Sequence, residues 1–462
     1  MEAGCEVRVL EASGRVGGTV RSGRVQGHLF EAGPTTVPST APRLGALIDD
    51  LDLRPRVILS RKMAGRRLVW RRGRLHSLPE SPPQLLTCTA LGPLGKARLL
   101  MEPLVPARRQ GDDETLLEFG QRRLGRDATA AFLDPFVTGV FAGRLDRLGV
   151  DALPKLLDLE SGHGSLLRGV VASRRAAKQA RPSGQGTRPQ GSGGPPPLVS
   201  FAGGLEDLPR ALEQRLRRRG VVFDLASPAS AVEPTPGGLR VLRACDGDDR
   251  GSLGADLVIV ATPASSAAGL LPTARLREGS AHAAYLEGLD HPFVTTVGLG
   301  YRRSDVDHPL DAFGLLVASD SRPASADVLG ILFASSIFPG RSPEGEVTLT
   351  VMVGGARDPG AADLDDDGLL NRARRAATTM LGVRGEPVAV SLQRWPRAIP
   401  QFPPGHRRRV ARLRSDLATV PGLALAGNYL DGVGVEGAVA SADAAVEAAL
   451  ASASAGPGDV GP

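Results

Sequence analysis

The chain has little of what metal, thiol or base-stacking chemistry is built from. It holds three cysteines, Cys5, Cys88 and Cys245, far apart and without C-x-x-C spacing. Neither a disulfide framework nor a zinc site is expected, and this usage suits a reducing, cytoplasmic setting. Seven histidines are scattered without metal-ligand spacing, so no metal is expected. Aromatics make up 4% of the chain and are not interleaved with basic residues, which argues against nucleic acid as a partner. No run approaches the roughly 18 to 20 apolar residues that span a bilayer. The first residues carry neither the charged nor the apolar region of a secretory leader. Membrane contact is therefore expected to be peripheral only.

What the chain does have is length, apolar residues and arginine. With 462 residues and 42% hydrophobic side chains it can bury two or three cores. The formal charge of +6 reflects arginines spread along the chain, with clusters around 107–109, 215–219 and 407–409. Two explanations stay open: solvated arginines in an arginine-rich composition, or attraction to an anionic lipid surface or substrate.

Periodicity divides the chain into textures. Short strands at 7–11, 21–25 and 28–31 lead into A-G-P-T-T at 32–36 and a helix at 41–51. Residues 65–75 read as a hairpin with R-R-G in the turn. Between 80 and 178 the signal turns helical, at 85–87, 95–102, 114–124 and 128–136. Asp112, Asp113 and Glu114 supply the cap and acidic first turn of the third of these. Residues 181–197 are of low complexity and predict a disordered linker. The run A-D-L-V-I-V-A-T-P-A at 255–264 suits a buried parallel strand with a ligand at its carboxyl end. Alternating segments from 293 to 353 predict an antiparallel sheet, and L-A-L-A-G-N-Y at 423–429 a strand entering a glycine-rich turn before a helix of small residues.

The most informative motif is at the start. V-R-V-L-E at 7–11 is followed by G-R-V-G-G-T at 14–19, the pattern that closes the first half of a dinucleotide site. In such a unit G-x-G-x-x-G sits between a strand and a helix, and an acid about 20 positions on binds the ribose hydroxyls. Glu11 is that acid by spacing. Residues Met1 to Cys5 read as the last helical turn before it, with Gly4 as the cap, so the strand and glycine turn that should precede them are not there. A start assigned too far downstream is the preferred explanation, with roughly 25 to 30 further residues expected upstream. A true loss of the cofactor loop is the rival.

Five further blocks are more specific. R-L-V-W-R-R-G-R-L (67–75), D-P-F-V-T-G-V-F-A-G (134–143), L-G-I-L-F-A-S-S-I-F-P-G-R-S-P (329–343), W-P-R-A-I-P-Q-F-P-P-G-H (395–406) and G-N-Y-L-D-G-V-G-V-E-G (427–437) resemble, in order, the oxygen-dependent protoporphyrinogen oxidases among the amine-oxidase-like flavoproteins. The resemblance implies an α/β fold, α+β overall, with a Rossmann-like FAD-binding domain, an antiparallel-sheet substrate domain and a helical membrane-binding insert. FAD-binding segments are expected at 1–56, 198–275 and 413–450, substrate segments at 57–75 and 276–412, and the insert at 76–178. A disordered loop at 179–197 and a disordered tail at 451–462 complete the division. It also implies FAD as cofactor, a porphyrinogen as substrate and O2 as acceptor. Six electrons would leave the macrocycle in three hydride transfers, with hydrogen peroxide as product. The absence of any Ser-His-Asp set, carboxylate pair or cysteine nucleophile agrees with a flavin doing the chemistry.

Candidate residues follow. Arg15, Gly17, Gly18 and Thr19 would bring backbone N–H groups and a guanidinium near the diphosphate. Gly33, Pro34 and Thr35 match the family's turn near the flavin ring. Gly427, Asn428 and Tyr429, then Val433, Gly434 and Val435, precede a helix whose N-terminus can face the flavin. Trp395 and Gln401 sit near the flavin in relatives, though a lone tryptophan can equally be core. Arg67 matches an arginine placed on a substrate propionate; Arg66, Arg71 and Arg72 lie close enough to take that role. Phe338 matches an aromatic that stacks on a pyrrole ring, with core packing as the alternative. Gly139 and Gly143 would leave room for the macrocycle.

Two other functions stay open: oxidation of coproporphyrinogen III, with four carboxylates, to coproporphyrin III, and a non-catalytic, FAD-deficient tetrapyrrole-binding relative. Expected partners are the porphyrinogen, O2 and a peripheral membrane surface, with a homodimer left open.

Overall fold

The computed structural model describes residues 4–79, 84–108, 113–179, 196–244, 251–321 and 328–454. Asp112, Cys245, most of the expected linker at 181–197 and the end of the expected tail lie outside these residues. The final helix runs to Ser454.

The largest element is a seven-stranded sheet in the order Ala389–Trp395, Val294–Arg302, Glu346–Gly354, Val328–Leu332, Gly314–Val317, Leu68–Arg71, Arg74–Ser77. It is antiparallel except where Gly314–Val317 runs parallel to Leu68–Arg71. Strands such as V-T-T-V-G-L-G-Y-R and E-V-T-L-T-V-M-V-G alternate β-branched and small residues, which suits a sheet covered on both faces. One face is closed by the helix Asp366–Leu381. Its Ala373, Ala376 and Ala377, at i, i+3 and i+4, form one face against Val297, Leu299, Val351 and Val353. On the other face the strand His28–Glu31 lies against Gly298 and Gly300. A Cβ at these two positions would stand 2.2 Å from the Phe30 ring and 2.6 Å from the His28 ring.

The parallel strands form two separate pairs. Arg8–Leu10 pairs with Val222–Asp224, and Val258–Val260 with Leu423–Leu425; among the described residues no ladder joins the pairs. Leu10 packs on the core that holds Val260, Leu425 and Tyr429, so side chains rather than backbone hydrogen bonds connect them. A third small sheet orders Val37–Pro38, Leu198–Phe201 and Val57–Leu59. Val57 packs with Leu44, Ile48 and Phe201, and the chain enters the large sheet at Leu68.

The insert is helical, with Pro93–Leu100, Leu116–Arg123, Asp134–Phe141, Pro154–His163 and Leu166–Gln179. The cap of the second of these is Thr115, not the acidic run before it. Thr115 Oγ1 accepts from Glu118 N at 3.2 Å, while the Glu118 carboxylate accepts from Thr115 N at 2.9 Å, a reciprocal capping box. Glu114 is drawn to Arg122 and Asp113 to Arg408, because arginines outcompete backbone N–H groups for them. No helix among the described residues is long and apolar enough to cross a membrane.

Candidate active site

The strand Arg8–Leu10 ends at Glu11, whose backbone N–H donates to Asp224 O at 3.0 Å. One carboxylate oxygen accepts from Ser13 N at 2.7 Å. The other is bonded to nothing among the described residues, which leaves it for a ribose hydroxyl. Gly17 and Gly18 take positive φ, +97° and +54°, so the chain folds back at once, and Val20 N donates to Gly17 O. Arg15 is turned onto its own loop: it donates to the carbonyls of Val16 and Gly18, and its guanidinium lies 3.9 Å from Glu206. Its visible part is to hold the loop shut. Thr19 is exposed at the tip.

Thr19 also sets the position of the next turn. A Cβ on Gly33 would sit 2.0 Å from Thr19 O, so the loops 17–19 and 33–35 approach closely only because residue 33 is glycine. The carbonyl of Ala32 accepts from Trp395 Nε1 at 2.7 Å and from Thr296 Oγ1 at 2.8 Å. Trp395 thus ties Gly33, Pro34 and Thr35 to the large sheet. These three residues stay half-buried, open on one side.

The turn after Leu423–Leu425 is held by Gly427 N donating to Ser441 Oγ at 3.0 Å. Tyr429 points its ring into the core, and its hydroxyl has no partner; burial pushes its pKa up. It can offer a ligand only its backbone. The Asn428 amide makes no hydrogen bond among the described residues. Val433 packs on the insert and Val435 on the Pro42–Asp50 helix core, so this turn touches both bodies. Gly432 and Gly434, just before the helix Val435–Ser454, have no atom within 4 Å of where a Cβ would be. That open space in front of a helix start, with the free oxygen of Glu11, fits a dinucleotide at its ribose end and at its flavin end.

From the turn at 33–35 a row of side chains crosses the sheet. In register, Thr296 stands opposite Met352, Met352 opposite Gly330, and Gly330 opposite Leu316. All point to one face. Leu316 and Met352 are half-buried, and Leu316 ends against Gly139, where a Cβ would meet it at 2.4 Å. The helix Asp134–Phe141 turns Phe136 and Val140 outward beside Gly139. Gly139 therefore lets this helix close on the sheet at the edge of the floor. Gly143 makes room for Gln401: a Cβ there would be 2.2 Å from Gln401 Oε1, and Gln401 Nε2 donates to Phe141 O at 2.7 Å. Met352, Gly330, Leu316 and Thr296 were not among the residues expected from sequence. The period-2 alternation marks their face, but only cross-strand register brings them into one row.

Arg67 is half-buried, its guanidinium carbon 5.4 Å from the Phe313 ring centroid and its Nη1 3.4 Å from Gly65 O. It has no acidic partner among the described residues. Its neighbours do: Arg66 pairs with Asp311, and Arg71 with Asp127 and Asp320. Phe338 is 1% exposed and packs with Ala64 and Ile337 beneath Arg341, whose guanidinium carbon is 5.2 Å from its ring. Phe313 and Leu332 pack against the same cluster.

A profile of the flavin containing amine oxidoreductases matches residues 1–450. The coproporphyrinogen III oxidase of Propionibacterium freudenreichii is 33% identical over 98% of this chain and 88% of its own. The human protoporphyrinogen oxidase is 32% identical over 94% of this chain and 91% of its own. Among solved structures, an Exiguobacterium sp. 255-15 protein assigned as a protoporphyrinogen oxidase superposes with a TM-score of 0.76, at 26% identity, over 96% of this chain and 92% of that one. The chain belongs to the flavin-containing amine oxidoreductases, and its cofactor is FAD.

Proposed function

We propose that the chain oxidises protoporphyrinogen IX to protoporphyrin IX on FAD, with O2 as final acceptor and hydrogen peroxide as product, a step in heme biosynthesis. The observation that supports this most is the apolar floor between the turn at 33–35 and the Gly139 helix. Thr296 to Leu316 spans three strand spacings of ~4.8 Å, a breadth of roughly 14 Å that suits a flat macrocycle. When bound, FAD would supply a hydride acceptor that oxygen can reoxidise. The residues of the chain orient the ring and keep water from the floor.

Charge favours a substrate with few carboxylates. Arg66, Arg71, Arg341 and Arg357 each face an aspartate or glutamate, so Arg67 is left to meet a propionate. A second reading, coproporphyrinogen III as substrate, draws on the Propionibacterium freudenreichii relative. Each porphyrinogen offered in air to FAD-loaded protein decides between them, with porphyrin fluorescence and peroxide as readouts. Protoporphyrinogen IX is expected to show the higher kcat/KM. Faster turnover of coproporphyrinogen III would reverse the choice, and no porphyrin from either would favour a non-catalytic binder. Arg67→Ala is expected to raise KM roughly tenfold with kcat little changed, the loss of one charge-assisted hydrogen bond.

The same reading extends to a peripheral contact between the insert and an anionic bilayer. Leu94 and Leu104 are 86% and 74% exposed, and Leu86, Leu100 and Met101 stand exposed in the same stretch. Such a set on a basic protein suits insertion into a headgroup layer. A Leu94→Ser, Leu104→Ser protein is expected to float less with anionic vesicles; unchanged flotation would remove this part of the proposal.

A further inference from the structure

We infer that His406 is a positioning residue for the turn Gly427–Val435, held in one tautomer by Tyr285. The inference rests on the assignment of that turn to the flavin. His406 closes the block that begins at Trp395 and starts the helix His406–Leu417. Its imidazole is 1% exposed and stacks on Phe402, with centroids 4.1 Å apart and planes 3° from parallel. Nε2 lies 3.2 Å from Leu430 O, and Nδ1 lies 2.6 Å from Tyr285 Oη.

These contacts fix the proton. A carbonyl only accepts, so Nε2 carries the hydrogen and donates to Leu430 O. Nδ1 is then a lone pair, and Tyr285 donates to it. Burial favours this neutral form, pushing the imidazole pKa below its ordinary value. Arg409 lies 5.3 Å from the Tyr285 ring centroid and donates to Pro404 O, which keeps Tyr285 facing the histidine.

The geometry gives this pair a task that core packing alone would not require. The far side of the His406 helix start is gripped by the insert: Gly149 N donates to Phe402 O at 2.8 Å, Asp151 accepts from Arg407 N at 3.2 Å, and Asp113 pairs with Arg408. The near side reaches the turn Gly427–Val435 through Leu430 O, and Arg414 holds Asp431 in the same turn through two hydrogen bonds. Beside the direct packing of Val433 on the insert, His406 is a buried side chain that links the insert to this turn by hydrogen bonds. Its Nε2–H sets where Leu430 stands, and so where Asn428 and the backbone at Val433 to Val435 are presented.

The test is amide hydrogen exchange on the full chain without cofactor, followed by FAD titration. His406→Phe keeps the aromatic face on Phe402 and removes both hydrogen bonds. Exchange at Leu430–Val435 is expected to rise roughly tenfold, the effect of one buried hydrogen bond, with the helix Asp366–Leu381 unchanged. His406→Gln, which can donate to Leu430 O and accept from Tyr285, is expected to restore most of the protection. Tyr285→Phe, a smaller change that decides the case should His406→Phe not fold, is expected to give an intermediate rise confined to the same turn. Unchanged exchange in the turn, or an equal rise in Asp366–Leu381, would overturn the inference. So would a loosened turn with an unaltered FAD dissociation constant. Failure of the unsubstituted protein to bind FAD would instead count against the flavin assignment, while the exchange data would still decide the tie between His406 and the turn.

Discussion

An Arg123→Met protein is expected to lose about 3 to 5 kcal/mol of stability. Arg123 is fully buried in the insert, 2.6 Å from a Glu102 oxygen and 3.4 Å from one of Glu160, both themselves buried. It also donates to Val105 O at 2.7 Å and Gly164 O at 2.8 Å. Glu102 in turn accepts from Ser165 Oγ, Leu166 N and Leu167 N, so one ion pair stitches together segments 102–105, 123 and 160–167. Methionine fills most of the space but removes the cation that Glu102 and Glu160 share. Glu160 keeps Arg122 at 2.8 Å, whereas Glu102 has no second arginine among the described residues. The loss is therefore expected to fall mainly on Glu102, and Arg123→Met with Glu102→Gln is expected to recover part of it. Urea denaturation of the three proteins measures this. A single-variant loss under about 1 kcal/mol would show that the site relaxes or takes in water.

Gly33→Ala is expected to reduce FAD affinity by about a hundredfold or more while lowering the melting temperature of the cofactor-free protein only moderately. The added methyl would meet the backbone oxygen of Thr19 at 2.0 Å, and no side-chain rotation relieves that contact. One of two loops must move, and under the proposed assignment both would border the cofactor. Overpacking of this kind costs about 1 to 3 kcal/mol in the fold. The larger effect on binding arises because a displacement of about an ångström misplaces several backbone donors together. Gly23→Ala is the control, since nothing lies within 4 Å of its Cβ position. Flavin fluorescence titration and thermal melts compare the two; a Gly33→Ala protein that binds FAD as the unsubstituted chain does would refute the close approach of the loops.

The strands and turns that local pattern specifies were legible. The acid ending an apolar strand, the glycines after it and the alternating segments between 293 and 353 all appear where periodicity puts them. Features that depend on distant partners were not. Thr115 caps its helix because Asp113 and Glu114 have arginines 295 and 8 residues away. The Arg123 cluster draws on three insert segments whose pairing no local window reveals. The row from Thr296 to Leu316 joins residues from four strands, and a slip of one position in any strand would have put a different side chain on the floor. Arg15 shows another limit: its spacing suggests a ligand contact, but only the fold of its own loop shows the guanidinium bound to carbonyls.

The two unjoined strand pairs have a mechanical consequence. Glu11 rides on the pair Arg8–Leu10 and Val222–Asp224, while the turn from Gly427 rides on the pair Val258–Val260 and Leu423–Leu425. A ligand gripped by both would link two strand pairs that, among the described residues, share packing but no ladder. FAD would brace the frame as well as carry electrons, and the stiffness of the domain would follow cofactor concentration through binding linkage.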